Sequence, residues 1–288
     1  IQSVLQQERA WAGLKSQRLK VAEIDWAYSE GGTKGKPVLL LVHGLAGSRD
    51  NWNRVARYLT PYYHVIIPDL PGQGDSRVPS DFDYTIPNLT EKLRRFAEAI
   101  QIDKNLHVAG HSRGCAVSLL YAALYPLDSK SLLLIESAGV FKSANTPYLE
   151  DPNLLRNFIV SKPGDFDRLF KIAAHIPPFI PSELKVEQEK LMISNVANTT
   201  KLVEQLNKKK KSYTPETFAL AARSIDLPTL IIWGEKDQII NVEAAAELKG
   251  LLKNAQDPII LKGVGHMPLL EQEQILVQHY LKFLTTLR

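Results

Sequence analysis

Leu106-His107-Val108-Ala109-Gly110-His111-Ser112-Arg113-Gly114-Cys115 is the stretch from which the rest of the chain can be read. Leu106 to Ala109 is a short apolar run of the kind that forms a buried strand. Cys115 to Tyr125, with Leu119, Leu120 and Ala123, reads as a helix packed beneath it. Between them stands Gly-x-Ser-x-Gly. A turn from strand directly into helix is so tight that only glycine fits two positions before and two after the serine. The serine hydroxyl is pushed above the sheet, and the next backbone N–H opens a helix whose N-terminal dipole favours negative charge. Five residues are a weak signal by themselves, and an ordinary βα turn is the competing reading. The strand before and the helix after favour the nucleophile elbow.

Outward from this turn the chain alternates between two kinds of segment. Val38-Leu39-Leu40-Leu41-Val42 is continuously apolar, as expected of a strand buried on both faces. It runs into the loop His43-Gly44-Leu45-Ala46-Gly47-Ser48 and a helix near Asp50. Tyr63 to Pro68 and Ser131 to Ile135 read as further buried strands. Leu89, Leu93, Phe96 and Ile100 mark one face of a helix between them. Pro228 to Gly234 and Pro258 to Leu261 are two more strands, with helices predicted over Val242 to Leu252 and Leu269 to Leu287. This rhythm predicts an α/β fold, a mostly parallel sheet with helices on both faces. Near the start, two alternating segments, Leu19 with Val21 and then Ile24, Trp26 and Tyr28, read as antiparallel edge strands. Val4, Leu5, Trp11, Ala12 and Leu14 suggest an amphipathic helix ahead of them.

The rhythm breaks between Gly139 and Ile225, where only helical patterns occur around the proline-rich Ile176-Pro177-Pro178-Phe179-Ile180-Pro181. The division expected is a core over 1–138 and 226–288 with a helical cap over 139–225. Most of its aromatic and aliphatic residues read as cap core, while half of the Phe170 to Pro181 stretch is expected to face substrate or lipid, with Phe170, Phe179 and Ile180 as candidates for a substrate wall.

Composition narrows the partners. The 288 residues are 44% hydrophobic and 23% charged, with a formal net charge of +4, as in a water-exposed globular protein with ample core. The one dense basic run, Lys208 to Lys211, reads as a solvated helix end, with contact to an anionic membrane surface as the minor alternative. No basic stripe interleaves with aromatics, which argues against nucleic acid. The single cysteine, Cys115, excludes an internal disulfide and sits where a small buried side chain is wanted. No run of ~20 apolar residues is present to span a membrane. The chain begins at Ile1, so a removed leader, anchor or expression segment is an open expectation, with peripheral membrane contact through the first helix or the cap.

A serine hydroxyl needs a base, and seven histidines are available. His266 follows the last strand in a glycine-flanked loop, on the same sheet edge as Ser112, and is the base chosen. His43, with Gly44, and His111 lie beside the site as orienting or substrate-side groups. Asp237, just past the preceding strand, would hold the imidazole, and Glu136 is the other acid available. The order Ser112, Asp237, His266 is the order this architecture demands. The oxyanion would be met by the backbone N–H groups of Arg113 and Leu45, with the Arg113 side chain pointing outward. Asp69 and Asp75 read as turn-builders. No histidine or cysteine cluster has ligand spacing, so no metal is expected. Gly72 and Gly74 do not open a phosphate-binding helix, so no nucleotide is expected either.

Taken together, five motifs in order resemble the α/β-hydrolase superfamily. They are His43-Gly44, Asp69-Leu70-Pro71-Gly72-Gln73-Gly74-Asp75-Ser76, Gly110-His111-Ser112-Arg113-Gly114, Trp233-Gly234-Glu235-Lys236-Asp237 and Gly265-His266. The cap and Asp237-Gln238-Ile239-Ile240 are similar to the monoacylglycerol lipase and bacterial lipase/esterase branch. The resemblance implies an eight-stranded sheet, a lid over the pocket and hydrolysis of carboxylic esters without a cofactor. Arg113 and Cys115 stand where relatives frequently carry Met and Gly, a departure that bears on the acyl pocket. Carbon–carbon bond hydrolysis, cofactor-free peroxidation and cleavage of an anilide or peptide share the same three side chains. A ligand receptor with an idle site is the alternative of another class.

Overall fold

The computed structural model describes residues 2–144, 151–209 and 214–287. Eight strands form one sheet in the order β1-β2-β4-β3-β5-β6-β7-β8. They are β1 Leu14–Val21, β2 Ile24–Gly31, β3 Val38–Val42, β4 His64–Pro68, β5 Leu106–His111, β6 Ser129–Ile135, β7 Thr229–Gly234 and β8 Ile259–Leu261. β1 and β2 are antiparallel, as are β2 and β4, and every later pairing is parallel.

The continuously apolar strands are explained by burial on two faces. Leu40 and Val42 of β3 enter one apolar cluster and Leu39 and Leu41 the other, because successive side chains point to opposite sides of a strand. β6 does the same with Leu132 and Leu134 on one side and Leu133 and Ile135 on the other. One face is covered by α3 (Ile86–Ala99) and α4 (Arg113–Leu124), the other by α2 (Asn53–Leu59) and the helix Glu273–Thr285. α1 (Val4–Trp11) begins in a reciprocal cap between Ser3 and Gln6 and leans on the helix Ser182–Ser194, where the Leu5 N–H donates to Glu187 at 2.9 Å.

Three local expectations change. β2 is not an edge strand: it lies between β1 and β4, with Tyr28 opposite Pro68. Alternation reports which face meets solvent, not how many neighbours a strand has. The segment at Asp50 starts as a 3-10 turn, Arg49–Trp52, before α2. The last helix is broken at Gln272 (φ −149, ψ 51) into Pro268–Glu271 and Glu273–Thr285. The break turns the Glu271 carboxylate back onto the N–H groups of Gly265 at 2.9 Å and Met267 at 3.0 Å.

Between β6 and β7 the chain is helical in Pro152–Leu155, Asp165–Ala173, Ser182–Ser194, Val196–Lys209 and Pro215–Arg223. The basic run extends past this described segment, since Lys210 and Lys211 lie outside the described residues, as does Ile1. Among the described residues no helix is long and apolar enough to cross a membrane.

Candidate active site

β5 ends at His111 and α4 starts at Arg113, leaving Ser112 alone in the turn with φ +55 and ψ −120. For a residue with a side chain that is a strained backbone, held because its surroundings are tight. A Cβ on Gly110 would come 2.7 Å from the Gly114 carbonyl oxygen, and one on Gly114 would come 2.2 Å from that of Val42. The glycines are required by this close approach of β3, β5 and α4.

The Ser112 hydroxyl lies 2.9 Å from His266 Nε2, and His266 Nδ1 lies 2.7 Å from Asp237 Oδ2. With a carboxylate at Nδ1, that nitrogen carries the proton, leaving Nε2 as the acceptor for the serine O–H. The other Asp237 oxygen, Oδ1, accepts from the N–H groups of Ile239 at 2.8 Å and Ile240 at 2.9 Å. Burial raises the Asp237 carboxyl, but the His266 ring beside it, hydrogen bonds with Glu136 and His266, and the Ile240 N–H outweigh that and hold it below the usual range. Glu136 is fully buried behind the pair, with a backbone φ of +49, and accepts from the Gly234 N–H. Burial first, and then Asp237, push its carboxyl well above the usual range, so it is the protonated partner.

The imidazole is fixed through its backbone. The His266 N–H donates to the Ala173 carbonyl at 2.7 Å, at the end of the helix Asp165–Ala173. Its own carbonyl accepts from His111 Nε2 at 2.7 Å. Glu271 grips the loop on either side of it and also takes the N–H groups of His175 and Ile176. Nothing in the local sequence marks Glu271 for this, because its partners come from a distant segment.

His43 is enclosed. It donates from Nδ1 to the Gly44 carbonyl at 2.8 Å and accepts the Leu70 N–H at Nε2, bracing two loops rather than facing a cavity. Burial lowers His43 to about 4 and His111 to about 3, so both are neutral spacers near pH 7. Cys115 is buried with its thiol pushed up to about 12, and it packs against Ile135. Asp69 does more than build its own turn: its carboxylate pairs with the buried Arg49 at 2.9 Å.

The backbone N–H groups of Leu45 and Arg113 are engaged by no other group among the described residues. The second belongs to the first turn of α4, where no intrahelical partner exists. The Arg113 side chain does not point outward. It is 6% exposed, and its Nη2 donates to the Tyr84 carbonyl at 2.5 Å. Two cavities meet at Ser112. A small one of about 90 Å³ is bordered by Leu45, Phe158, Phe166, Phe170, Met192 and His266. Another, of about 880 Å³, is bordered by Leu45, Arg113, Leu119, Phe141, Phe158 and Phe218. Gly44 and His111 line the first cavity. Phe179 and Ile180 line neither: Phe179 is 81% exposed, and its carbonyl accepts from Arg54. The ligand atoms of Glu136, Asp237 and His266 lie within 4.8 Å of one another, but the direct Asp237–His266 contact fills the space a metal would need.

Residues 37–273 match the family described as the alpha/beta hydrolase fold. Lipase 1 of Psychrobacter immobilis is 35% identical, the alignment covering 98% of this chain and 88% of that protein. Monoacylglycerol lipase ABHD6 of Homo sapiens is 26% identical, covering 96% of this chain and 84% of that protein. Among solved structures, lip1 from Acinetobacter baumannii AYE, described as a lipase candidate, superposes with a TM-score of 0.96 at 60% identity, covering 99% and 95% of the two chains. A structure described as a membrane phospholipase A superposes with a TM-score of 0.91 at 35% identity, covering 99% and 90%.

Proposed function

Because the chain belongs to the alpha/beta hydrolase fold family and is a carboxylic-ester hydrolase of its lipase and esterase kind, we propose that Ser112 is the nucleophile, His266 the general base and acid, and Asp237 the carboxylate that holds the imidazole. The observation carrying this reading is the unbroken path from Ser112 Oγ to His266 Nε2 at 2.9 Å and from His266 Nδ1 to Asp237 at 2.7 Å.

His266 takes the serine proton as Oγ adds to the ester carbonyl. The resulting oxyanion lies against the N–H groups of Leu45 and Arg113, each such donor being worth ~3 kcal/mol in the transition state. His266 then passes its proton to the departing alcohol oxygen, leaving an acyl ester on Ser112. Water, deprotonated by the same nitrogen, adds to that ester and releases the carboxylic acid. The steps draw on water alone. The cavities beside Ser112 have room for one medium or long acyl chain, which supports a single-chain lipid ester such as a monoacylglycerol as substrate. The helices between β6 and β7 are its cap. Their exposed edge at Ile176 and Phe179 is the side offered to a lipid surface.

The test is Ser112→Ala assayed on p-nitrophenyl octanoate, together with labelling by a fluorophosphonate. Loss of both with an unchanged far-UV spectrum is expected. Labelling or turnover that persists in the variant would place the nucleophile elsewhere.

A further inference from the structure

Glu271 ends the short helix Pro268–Glu271, and its half-buried carboxylate gathers backbone N–H groups from two distant stretches of chain. Oε1 accepts from Gly265 at 2.9 Å, His175 at 2.9 Å and Ile176 at 3.0 Å, and Oε2 accepts from Met267 at 3.0 Å. Gly265 and Met267 flank the base, His266. His175 and Ile176 belong to the segment that leaves the helix Asp165–Ala173. Hydrogen bonds to an ionised acceptor are about twice as strong as neutral ones. One carboxylate oxygen thus holds both segments.

The same two segments meet in ways that do not involve Glu271. The His266 N–H donates to the Ala173 carbonyl at 2.7 Å. A Cβ on Gly265 would come 2.6 Å from the His175 nitrogen and 2.9 Å from the Ala173 carbonyl oxygen, so the two backbones lie directly against each other. On its other side, a Cβ on Gly234 would come 2.1 Å from the Gly265 carbonyl oxygen. The loop that carries the base is therefore held between β7, which is fixed in the sheet, and residues 173–176, which belong to no sheet. The helix Asp165–Ala173 also lends Phe166, Leu169, Phe170 and Ala173 to the wall of the small cavity beside Ser112. One helix borders the substrate space with its side chains and holds the base with its final carbonyl.

We propose that Glu271 is a positioning residue that couples the helix Asp165–Ala173 to His266, so that the imidazole stands within reach of Ser112 only while that helix is docked. The inference rests on the reading of His266 as the base. Glu271 lines neither cavity and exchanges no proton; it acts through the backbone of the residue it flanks.

The experiment is a cycle of Glu271→Gln, His266→Ala and the double variant, with kcat per folded protein measured on p-nitrophenyl octanoate, whose good leaving group keeps residual turnover measurable. Glutamine has one acceptor oxygen and an NH₂ in place of the other, so it cannot serve both segments. Glu271→Gln should lower kcat about ten- to a hundredfold, the cost of a reacting group misplaced by about an ångström. In the His266→Ala background the same change should cost almost nothing more, because the group through which Glu271 acts is gone. In proton NMR, Glu271→Gln should broaden or lose the downfield signal of the His266 Nδ1–H that bonds Asp237 and keep that of the His43 Nδ1–H that bonds Gly44. A merely structural role would lower turnover equally in both backgrounds and spare both signals. If the Gln variant does not fold, amide exchange of the wild-type protein decides: the N–H groups of Gly265, Met267, His175 and Ile176 should share one protection factor, as parts of a single opening unit. An unchanged kcat, equal losses in the two backgrounds, an unaltered His266 signal, or exchange of His175 and Ile176 while Gly265 and Met267 stay protected overturns the inference and leaves the hydrolase standing. Full activity of His266→Ala overturns the reading on which it rests.

Discussion

Glu136 and Asp237 are two buried carboxyl groups whose oxygens lie within 4.8 Å, and the site holds them in opposite protonation states. Asp237 has His266 and two backbone N–H groups to support its charge. Glu136 has one backbone N–H, and as the protonated group it hydrogen-bonds to Asp237. Two like charges this close in a desolvated site do not both persist, and the better-supported one stays ionised.

A stability prediction follows from that division. Glu136 is an acid whose folded pKa is raised, so its contribution to stability is complete below about pH 4.5, its ordinary value, and is lost as pH rises towards the folded value. Glu136→Gln keeps a neutral group of the same shape with nothing to ionise. The melting temperature of the variant relative to wild type should therefore climb between pH 4.5 and pH 8. A constant difference across that range would mean Glu136 is charged in the native protein.

Removing the charge of Asp237 attacks the tautomer of His266. Asp237→Asn should lower kcat by about 10⁴-fold on a neutral chromogenic ester, as expected when an imidazole loses the acceptor that orients it. Burst kinetics would locate the loss in acylation. A drop of less than tenfold would show that Glu136 takes over as the acid.

The enclosed histidines predict acid sensitivity. His43 and His111 have folded values depressed to about 4 and about 3, so the stability they contribute is present above the ordinary value near 6.5 and drains away as pH falls towards 4. His43→Gln should flatten the dependence of unfolding free energy on pH between 6 and 4.5 by up to about 1.4 kcal/mol per pH unit, the equivalent of one proton. Urea titrations at several pH values measure it. An unaltered slope would place the uptake elsewhere.

The segment between β6 and β7 offers a contrast between two phenylalanines in one stretch. Phe170 lines the small cavity and stacks on Phe166 at 4.7 Å, whereas Phe179 is 81% exposed. Phe170→Ala should shift the preferred acyl length and raise KM several-fold for a soluble ester. Phe179→Ser should leave soluble esters untouched and slow hydrolysis of the same acyl chain in vesicles. Identical behaviour of both variants on both forms of substrate would refute this division of labour.

The legible part of the molecule was the part written in local chemistry. Val38 to Val42 has no polar side to show, so it could only be covered twice, and the glycines around Ser112 could only serve a turn this tight. Asp237 and His266 lie together at one rim because each follows a strand that ends there. What escaped depends on residues remote in the chain. Arg113 was expected to face solvent, the default for the start of a helix, but the segment carrying Tyr84 folds over it. Glu271 breaks a helix that periodicity alone would continue, because its carboxylate bonds N–H groups at Gly265 and His175. Phe179, expected to face substrate or lipid, lines neither cavity and lies exposed, tied by its carbonyl to Arg54.

Ser112 sits at φ +55, a conformation glycine adopts freely and serine does not, at a cost of about 1–3 kcal/mol. The strained turn is what sets the hydroxyl 2.9 Å from His266 Nε2. Ser112→Gly should therefore melt at a higher temperature than the parent while doing nothing to an ester, and a screen rewarding thermostability alone would drift towards an inert scaffold.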